Sequence, residues 1–243
     1  ISMPLIHAHR GASAYAPENT LPSFRKAVEL HSDGVENDIH LTLDNQWVVC
    51  HDDDIARTSN GQGCISQMTL AQLRQYEFAP EFAGTPIPTL EEFLQVVSDM
   101  NPINIEIKGP FREDTDLKEA FSWIYTLLEK YRCVDRTLFS SFGHEWLGLL
   151  KEQYPHLRTG LLYGDRLTPE ATLELVGRFH ADAIHPYLPS IDETIVQACH
   201  ENGVEINAWT INSPEDIQRA IDLGIDGIIT DVPDKVREAL ERN

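Results

Sequence analysis

Short apolar runs alternate with amphipathic stretches along most of the chain, which is typical of buried strands that alternate with helices. Pro after Ser or Thr and before Glu marks two helix starts, at Thr168-Pro169-Glu170 and Ser213-Pro214-Glu215. The predicted strands are residues 5–9, 35–41, 103–108, 137–142, 159–163, 182–186, 204–210 and 227–231. The predicted helices are residues 21–30, 90–97, 117–131, 145–153 and 193–201, with further helices that begin near Thr168, Ser213 and Pro233.

This pattern amounts to eight strand–helix units. Alternation of this kind requires parallel strands with helical crossovers, and eight units close into a (β/α)8 barrel. An open doubly wound sheet is the alternative, but no G-x-G-x-x-G dinucleotide signature follows the first strand. We therefore predict an α/β TIM barrel in which residues 1–243 form a single domain.

Residues 42–88 interrupt the alternation. A turn at residues 43–45 and a return strand over 46–50 predict a hairpin, followed by a Gly- and Pro-punctuated stretch with a short helix over 70–76. We interpret this segment as a small insertion after the second strand. Active sites of such barrels lie at the carboxyl ends of the strands, so the insertion is expected to cap the mouth of the barrel.

Chemically active side chains are concentrated in the first quarter of the chain. Glu36 and Asp38 are two residues apart on a predicted strand, so both carboxylates should point to the same face. Adjacent carboxylates repel each other unless a cation lies between them, and oxygen ligands suit Mg²⁺ or Ca²⁺. His9 and His51 are then available for proton transfer. This combination predicts a metal-assisted hydrolase.

The net charge of the chain limits the classes of partner that it is expected to bind. With 19 basic and 39 acidic residues the formal charge is −20, which opposes non-specific binding to nucleic acid or to an anionic membrane. No apolar run approaches the length of a membrane span, so stable membrane anchoring is not expected. An anionic substrate requires local positive charge, for which Arg10, Lys108 or a bound metal is available.

The cysteines indicate a reducing environment. Four are scattered along the chain without a Cys-x-x-Cys pair, so neither a zinc site nor a compact disulfide framework is predicted. The first residues show no basic segment, long apolar core or small-residue cleavage site of a signal peptide. We therefore expect a cytoplasmic protein. Cys50 is adjacent to His51, but neighbouring strand residues point to opposite faces, so a cysteine nucleophile is not expected.

An ordered set of short motifs runs nearly end to end along the chain. The set comprises His9-Arg10-Gly11, Pro17-Glu18-Asn19-Thr20, Glu36-x-Asp38, His51-Asp52, Arg57-Thr58, Ile87-Pro88-Thr89-Leu90, Glu106-Ile107-Lys108, Ser140-Ser141-Phe142, Trp209-Thr210-x-Asn212 and the segment from Asp226 to Pro233. Together these motifs resemble the glycerophosphodiester phosphodiesterase family. The resemblance implies a catalytic TIM barrel with a small inserted subdomain, which hydrolyses a small-molecule glycerophosphodiester to glycerol 3-phosphate and an alcohol.

The resemblance also implies a role for individual residues. It assigns a divalent cation, Mg²⁺ or Ca²⁺, to Glu36, Asp38 and Glu106, general acid and base roles to His9 and His51, phosphate binding to Arg10 and Lys108, and substrate contacts to Glu18 and Trp209. Which histidine is the acid remains open, as does the attacking group, which is either water or the glycerol 2-hydroxyl. The preferred head group and the oligomeric state also remain open.

Each assignment has a structural alternative. The three carboxylates can instead pair with Arg10 and Lys108 in a buried ion network, Glu18 can serve only to build its loop, and Trp209 can belong to the barrel core. At the level of function, the alternatives are lysophospholipase D-like cleavage of lipid diesters and a non-catalytic metal- or phosphate-binding barrel. Two positions depart from the family, with His31 and Asn45 where glycine is common. Asn tolerates the left-handed conformation, whereas His31 weakens the helix-stop signal.

Overall fold

A computed structural model describes residues 3–79, 81 and 84–243. Within these residues eight parallel strands form a closed barrel, because the first strand pairs with both the second and the last. The strands are β1 Leu5–His9, β2 Gly34–Leu41, β3 Trp47–Val49, β4 Ile103–Ile107, β5 Thr137–Ser141, β6 Arg158–Tyr163, β7 Ala183–Pro186, β8 Glu205–Ala208 and β9 Gly227–Thr230. The additional strand β3 pairs with β2 in antiparallel orientation. The predicted TIM barrel is confirmed, with its extra strand after the second strand.

Helices follow the barrel strands and cover the outside of the barrel. They are α1 Leu21–Glu29, α2 Leu70–Leu73, α3 Leu90–Val97, α4 Leu117–Lys130, α5 His144–Gln153, α6 Pro169–Phe179, α7 Glu193–Glu201, α8 Pro214–Leu223 and α9 Pro233–Arg242. The expected starts of α6 and α8 are confirmed, since Thr168 and Ser213 accept hydrogen bonds from the backbone N–H groups of Ala171 and Asp216. In the described part of the chain no helix has both the length and the apolar character needed to cross a bilayer.

Two short-range features differ from the sequence expectation. Helix α2 ends at Leu73 rather than near residue 76, and three short 3₁₀ turns, which periodicity does not reveal, connect longer elements at Ile65–Gln67, Val134–Arg136 and Leu188–Ser190. The two departures from the family pattern both adopt the left-handed conformation, with φ of 57° at His31 and 63° at Asn45. The tolerance expected of Asn45 is confirmed, and α1 ends before His31 even though His31 is not glycine.

The two faces of the barrel strands differ in chemistry. Side chains that face the helices are apolar, as in β1 and β4, and Phe24 packs edge-on against Phe93 with 4.6 Å between ring centroids. Side chains on the other face carry the polar groups, because successive strand residues alternate. The candidate site therefore lies on the inner face, and the helix-facing core only holds the strands in register.

Inside the barrel a layer of hydrogen-bonded polar side chains replaces the usual branched aliphatic residues. Asn104 Nδ2 donates to His7 Nδ1 at 3.2 Å, and Ser140 Oγ donates to Asn104 Oδ1 at 2.8 Å. Asn207 Nδ2 donates to His185 Nε2 at 3.0 Å. Burial lowers the pKa of both histidines to about 3, so both are neutral acceptors. This layer forms a polar floor beneath the mouth of the barrel.

The predicted insertion has a hydrophobic cluster of its own, separate from the main core. The cluster consists of Val48, Cys50, Ile55, Ile65, Leu73, Phe78 and Ile87. Residues 80, 82 and 83 of the insertion and residues 1 and 2 at the N-terminus lie outside the described residues. The interpretation of 42–88 as a cap on a single catalytic domain, residues 1–243, stays a prediction.

Gly34, the first residue of β2, is expected to tolerate no side chain. A Cβ there would lie 2.2 Å from the carbonyl oxygen of Pro102. Gly34→Ala should therefore lower the free energy of unfolding by roughly 1–3 kcal/mol, the usual cost of overpacking. Gly177→Ala in α6 is the matched control, since its Cβ meets nothing within 4 Å and alanine favours a helix. Denaturant unfolding measures both, and equal stability of the two variants would contradict the expectation.

Candidate active site

Glu36, Asp38 and Glu106 lie side by side on the inner face of the barrel. The strand register places Glu36 opposite His9 on β1 and Asp38 opposite Glu106 on β4. One carboxylate oxygen from each residue lies within 4.8 Å of the other two, and all three residues are buried. The spacing of two along β2 therefore does bring both carboxylates to one face, and β4 adds the third.

The nearby cations do not balance the charge of this cluster. Arg10 Nε is 3.7 Å from Asp38 Oδ2, and Lys108 Nζ is 3.5 Å from Glu106 Oε2. Arg10 is also shared with Glu18, since Nη1 donates to Glu18 Oε2 at 2.9 Å. Two cations, one of them shared, thus face three buried carboxylates. Arg10 and Lys108 therefore do not form a closed ion network with the cluster, because two cations cannot balance three ionised carboxylates.

The hydrogen bonds of the cluster leave oxygens free for a ligand. The backbone N–H of Arg10 donates to Glu36 Oε1 at 3.0 Å, and Asn19 Nδ2 donates to Asp38 Oδ2 at 2.9 Å. Asp38 Oδ1 is buried and has no hydrogen-bond partner among the described residues. Three carboxylates with an unpaired oxygen are the ligands that a hard divalent cation prefers, so this acidic group fits a metal.

Burial and mutual repulsion shift the ionisation of the cluster. Burial, followed by repulsion from Asp38 and Glu106, raises the pKa of Glu36 well above its usual value. Burial and repulsion from Asp38 raise the pKa of Glu106 to about 8. Burial would also raise the pKa of Asp38, but positive charges led by Lys108 outweigh burial and hold that pKa below its usual range. A bound cation would displace the protons that Glu36 and Glu106 otherwise retain.

Metal-free protein should lose stability as the pH rises from about 4.5 to about 8. The Glu106 carboxyl titrates near 4.5 when unfolded and near 8 when folded, so the folded state binds more protons between these values. A divalent cation compensates the carboxylates and opposes this loss. At a thousandfold excess over Kd it should add about 4 kcal/mol, or about 8–16 °C in Tm for a chain of this size.

Thermal unfolding near pH 5 and near pH 8, with chelator and then with Mg²⁺ or Ca²⁺, measures this effect. The metal-induced rise in Tm should be larger at the higher pH, because fewer protons then compete for the carboxylates. A rise of the same size at both pH values would contradict the expectation.

Each candidate histidine is oriented by an aspartate. His9 Nδ1 is 2.7 Å from Asp231 Oδ1, and His51 Nδ1 is 2.7 Å from Asp52 Oδ1. An ionised carboxylate only accepts, so Nδ1 carries the hydrogen and Nε2 remains for proton exchange. Burial would raise the pKa of Asp231, but hydrogen bonds led by that from His9 lower it to about 2. Burial also lowers the pKa of His51, which favours its neutral form.

Arg57 links Asp52, the partner of His51, to Glu18. Its Nε donates to Asp52 Oδ2 at 2.9 Å and its Nη1 to Glu18 Oε1 at 2.7 Å, while Nη2 donates to both carboxylates. Glu18 in turn accepts from Arg10. Glu18 therefore holds two arginines in place, and its contact with substrate stays a prediction.

A cavity of about 220 Å³, the inner cavity, opens at the mouth of the barrel. Its lining includes the predicted site residues His9, Arg10, Glu36, His51, Glu106 and Trp209. Glu18, Asp38 and Lys108 do not line it, although each contacts a residue that does. Trp209 is only partly buried and donates from Nε1 to the carbonyl oxygen of His185 at 2.8 Å. Trp209 is thus part of the cavity wall as well as of the strand end.

Sequence reasoning missed four contributors to this site. Asp231 and Asp52 orient the histidines, Arg57 binds Asp52, and His185 lines the inner cavity with its Nδ1 unpaired among the described residues. Asp52, Arg57 and Asp231 belong to motifs recognised in the sequence, so a signal was present without a role. Asp231 is 222 residues from His9, and only closure of the barrel by pairing of β1 with β9 brings the two together.

Comparison with known proteins agrees with this architecture. The sequence profile of the Glycerophosphoryl diester phosphodiesterase family matches residues 9–235. A glycerophosphodiester phosphodiesterase of Caldanaerobacter subterraneus subsp. tengcongensis is 38% identical over 235 residues, which cover 95% of each chain. One from Bacillus altitudinis is 33% identical over 98% of this chain and all of its own.

Solved structures show the same similarity. An Oleispira antarctica phosphodiesterase in complex with the product sn-glycerol-3-phosphate superposes with a TM-score of 0.89 and 30% identity over 98% of this chain and 97% of its own. A Thermotoga maritima glycerophosphodiester phosphodiesterase gives a TM-score of 0.80 and 29% identity over 98% and 99%. These matches confirm the expected enzyme class, a phosphoric diester hydrolase. With its profile match along nearly the whole length, this chain belongs to the glycerophosphoryl diester phosphodiesterase family.

Proposed function

We propose that the protein binds a divalent cation through Glu36, Asp38 and Glu106 and hydrolyses glycerophosphodiesters to glycerol 3-phosphate and an alcohol. The observation that carries this proposal is the meeting of three buried carboxylates with two aspartate-bound histidines at one barrel mouth. The product complex of the Oleispira antarctica relative supports the choice of substrate. When bound, the cation supplies Lewis-acid polarisation of the phosphoryl oxygens.

The two histidines perform the proton transfers in this proposal. One Nε2 accepts the proton of the attacking oxygen, and the other Nε2 donates a proton to the oxygen of the leaving alcohol. Asp231 and Asp52 fix each ring through Nδ1 and stabilise the imidazolium that forms at His9 or His51.

Arg10 and Lys108 bind the phosphate in this proposal. Arg10 Nε is buried without a hydrogen-bond partner among the described residues, which leaves a donor for a phosphate oxygen. Lys108 adds a positive charge 3.5 Å from Glu106. Both charges are needed locally, because a formal charge of −20 otherwise repels an anionic diester. The ring of Trp209 offers an apolar wall for the glycerol carbons.

Lysophospholipase D-like cleavage is the second candidate function, and exposed aromatic rings favour it. Phe142 is 55% exposed and Tyr187 44% exposed, and both rings lie beside Trp209, with centroids 6.0 Å and 5.1 Å away. Exposed aromatic groups at a cavity rim suit an acyl chain that leaves the site. The corresponding hypothesis is that the enzyme cleaves lysophosphatidylcholine while the acyl chain lies against this aromatic rim.

We also propose a cytoplasmic location and a small-molecule substrate as the partner. The four cysteines are unpaired and three of them are buried, as expected in a reducing compartment. Burial raises the pKa of the Cys50 thiol to about 12, which supports the view that Cys50 is no nucleophile.

The experiment that tests this proposal compares a water-soluble diester with a lysolipid. Purified protein is given glycerophosphocholine or lysophosphatidylcholine with Mg²⁺ or Ca²⁺, and release of choline is measured for each. We expect faster release from glycerophosphocholine. Release of choline from the lysolipid alone would favour lysophospholipase D-like cleavage instead. Binding of substrate without turnover under any cation would contradict both candidate functions.

A further inference from the structure

A second cavity lies beside the first, between the loop after β1 and the insertion. This outer cavity has a volume of about 260 Å³. Its lining includes Asn19, Cys50, His51, Thr58, Phe78 and Glu81. None of these residues except His51 lines the inner cavity, so His51 forms the wall that the two cavities share.

The sizes of the two cavities suit the two halves of one small molecule. Sites for whole drug-sized ligands usually occupy roughly 300–1,000 Å³, and each cavity here is smaller. A phosphodiester has two substituents on opposite sides of its phosphate. With the phosphate beside the carboxylates and histidines, the glycerol half fits the inner cavity, whose wall includes Trp209. The other substituent then points past His51.

We propose, building on the function above, that the outer cavity receives the alcohol half of the diester and favours a cationic alcohol such as an amino alcohol. In this arrangement the alcohol half passes His51, which both cavities share, and Glu81 determines the specificity. It concerns only which alcohol is preferred, and the chemistry at the phosphate is the same for any alcohol.

The charged side chains around the outer cavity determine which kind of alcohol it prefers. Four of the five N–H groups of Arg57 already donate to Asp52 or Glu18, so two carboxylates compensate its charge and it attracts an anionic head group only weakly. Both oxygens of Glu18 are engaged by arginines. Among the described lining residues, Glu81 is the carboxylate without an ion pair, and it is exposed.

Other features of the cavity agree with this preference. Phe78 is 4% exposed and supplies an apolar wall for methylene or methyl groups, while a ring face also attracts a cation. The formal charge of −20 adds a long-range field that attracts a cationic substituent. A neutral polyol lacks both attractions, and an anionic alcohol is repelled.

Glu81→Gln and Glu81→Lys test the proposal with two substrates. We expect Glu81→Gln to lower kcat/KM for glycerophosphocholine about threefold to fivefold, the size of one exposed charge interaction. Hydrolysis of glycerophosphoinositol, whose alcohol is neutral, should be unchanged. The choline-to-inositol ratio is kcat/KM for glycerophosphocholine divided by kcat/KM for glycerophosphoinositol. Glu81→Lys should lower this ratio further, to about a tenth of its original value. Glu174→Gln on the exposed face of α6 changes the net charge by the same amount as Glu81→Gln and should leave the ratio unchanged.

Product inhibition by glycerol 3-phosphate locates the effect within the substrate. Its Ki should be unchanged in the Glu81 variants, because that product lies in the inner cavity. An unaltered choline-to-inositol ratio in both variants would overturn the proposal, as would a Ki that rises in parallel with KM. Failure of the unaltered protein to cleave either diester is a different result, since it contradicts the proposed function itself.

Discussion

Glu36→Gln should reduce metal-stimulated turnover at least about 10³-fold. A Lewis-acid metal contributes several kcal/mol to stabilising the transition state, and each 1.36 kcal/mol is a factor of ten in rate. Glu36 is one of only two carboxylates that β2 contributes, and a Gln oxygen carries no charge with which to hold the cation. Steady-state kinetics with Mg²⁺ and with Ca²⁺ measure the loss.

The same substitution should stabilise the metal-free protein. Burial and repulsion from Asp38 and Glu106 raise the pKa of Glu36, which means that its ionised form is unfavourable in the empty cluster. Gln keeps the shape and removes that charge, so Tm in chelator should rise near neutral pH while the metal-induced rise in Tm is lost. Glu174→Gln is the matched control and should change neither value.

Opposite effects on activity and stability separate a metal ligand from a structural carboxylate. If Glu36 only completed an ion network, its removal would leave a buried cation unpaired and would lower Tm. Lower stability together with full metal-dependent activity would therefore contradict the assignment of Glu36.

His9→Gln and His51→Gln should each lower kcat by roughly 10²–10⁴, the usual contribution of a positioned general acid or base. Both should keep the metal-induced rise in Tm, because neither histidine belongs to the carboxylate cluster. Each variant should also lose one limb of the pH–rate profile. His156→Gln is the control, since that histidine binds the Tyr125 hydroxyl at an exposed site.

Asp231→Asn tests the orientation of His9 separately from its presence. The imidazole remains, but the ionised acceptor 2.7 Å from Nδ1 is replaced by a neutral amide. We expect kcat to fall about 10–100-fold, as is typical for residues that orient a functional histidine. KM should change little. A change in KM with an unchanged kcat would contradict a positioning role for Asp231.

The fold and the carboxylate cluster were accessible from sequence because both follow local rules. Alternating apolar and amphipathic segments predict parallel strands with helical crossovers, and the spacing of Glu36 and Asp38 is enough to place both on one face. The helix starts at Thr168 and Ser213 were equally local, since a capping side chain and a following proline define them.

The arrangement around the histidines was not accessible in the same way. The bond between His9 and Asp231 depends on pairing between the first and last strands, and His51 follows β3 in a segment without regular periodicity. Arg57 reaches Glu18 across 39 residues from within that segment. The contacts of His51 and Arg57 depend on how this segment folds over the barrel, and spacing along the chain carries no information about that.

The most direct test of the account is release of glycerol 3-phosphate from glycerophosphocholine by the purified protein. The assay is run with Mg²⁺ or Ca²⁺, then with chelator, and again after the cation is restored, with Glu36→Gln in parallel. We expect release that stops on chelation and resumes with the cation, and little release from the variant. Full release in chelator, or equal release from Glu36→Gln, would contradict a metal-dependent phosphodiesterase site at Glu36, Asp38 and Glu106.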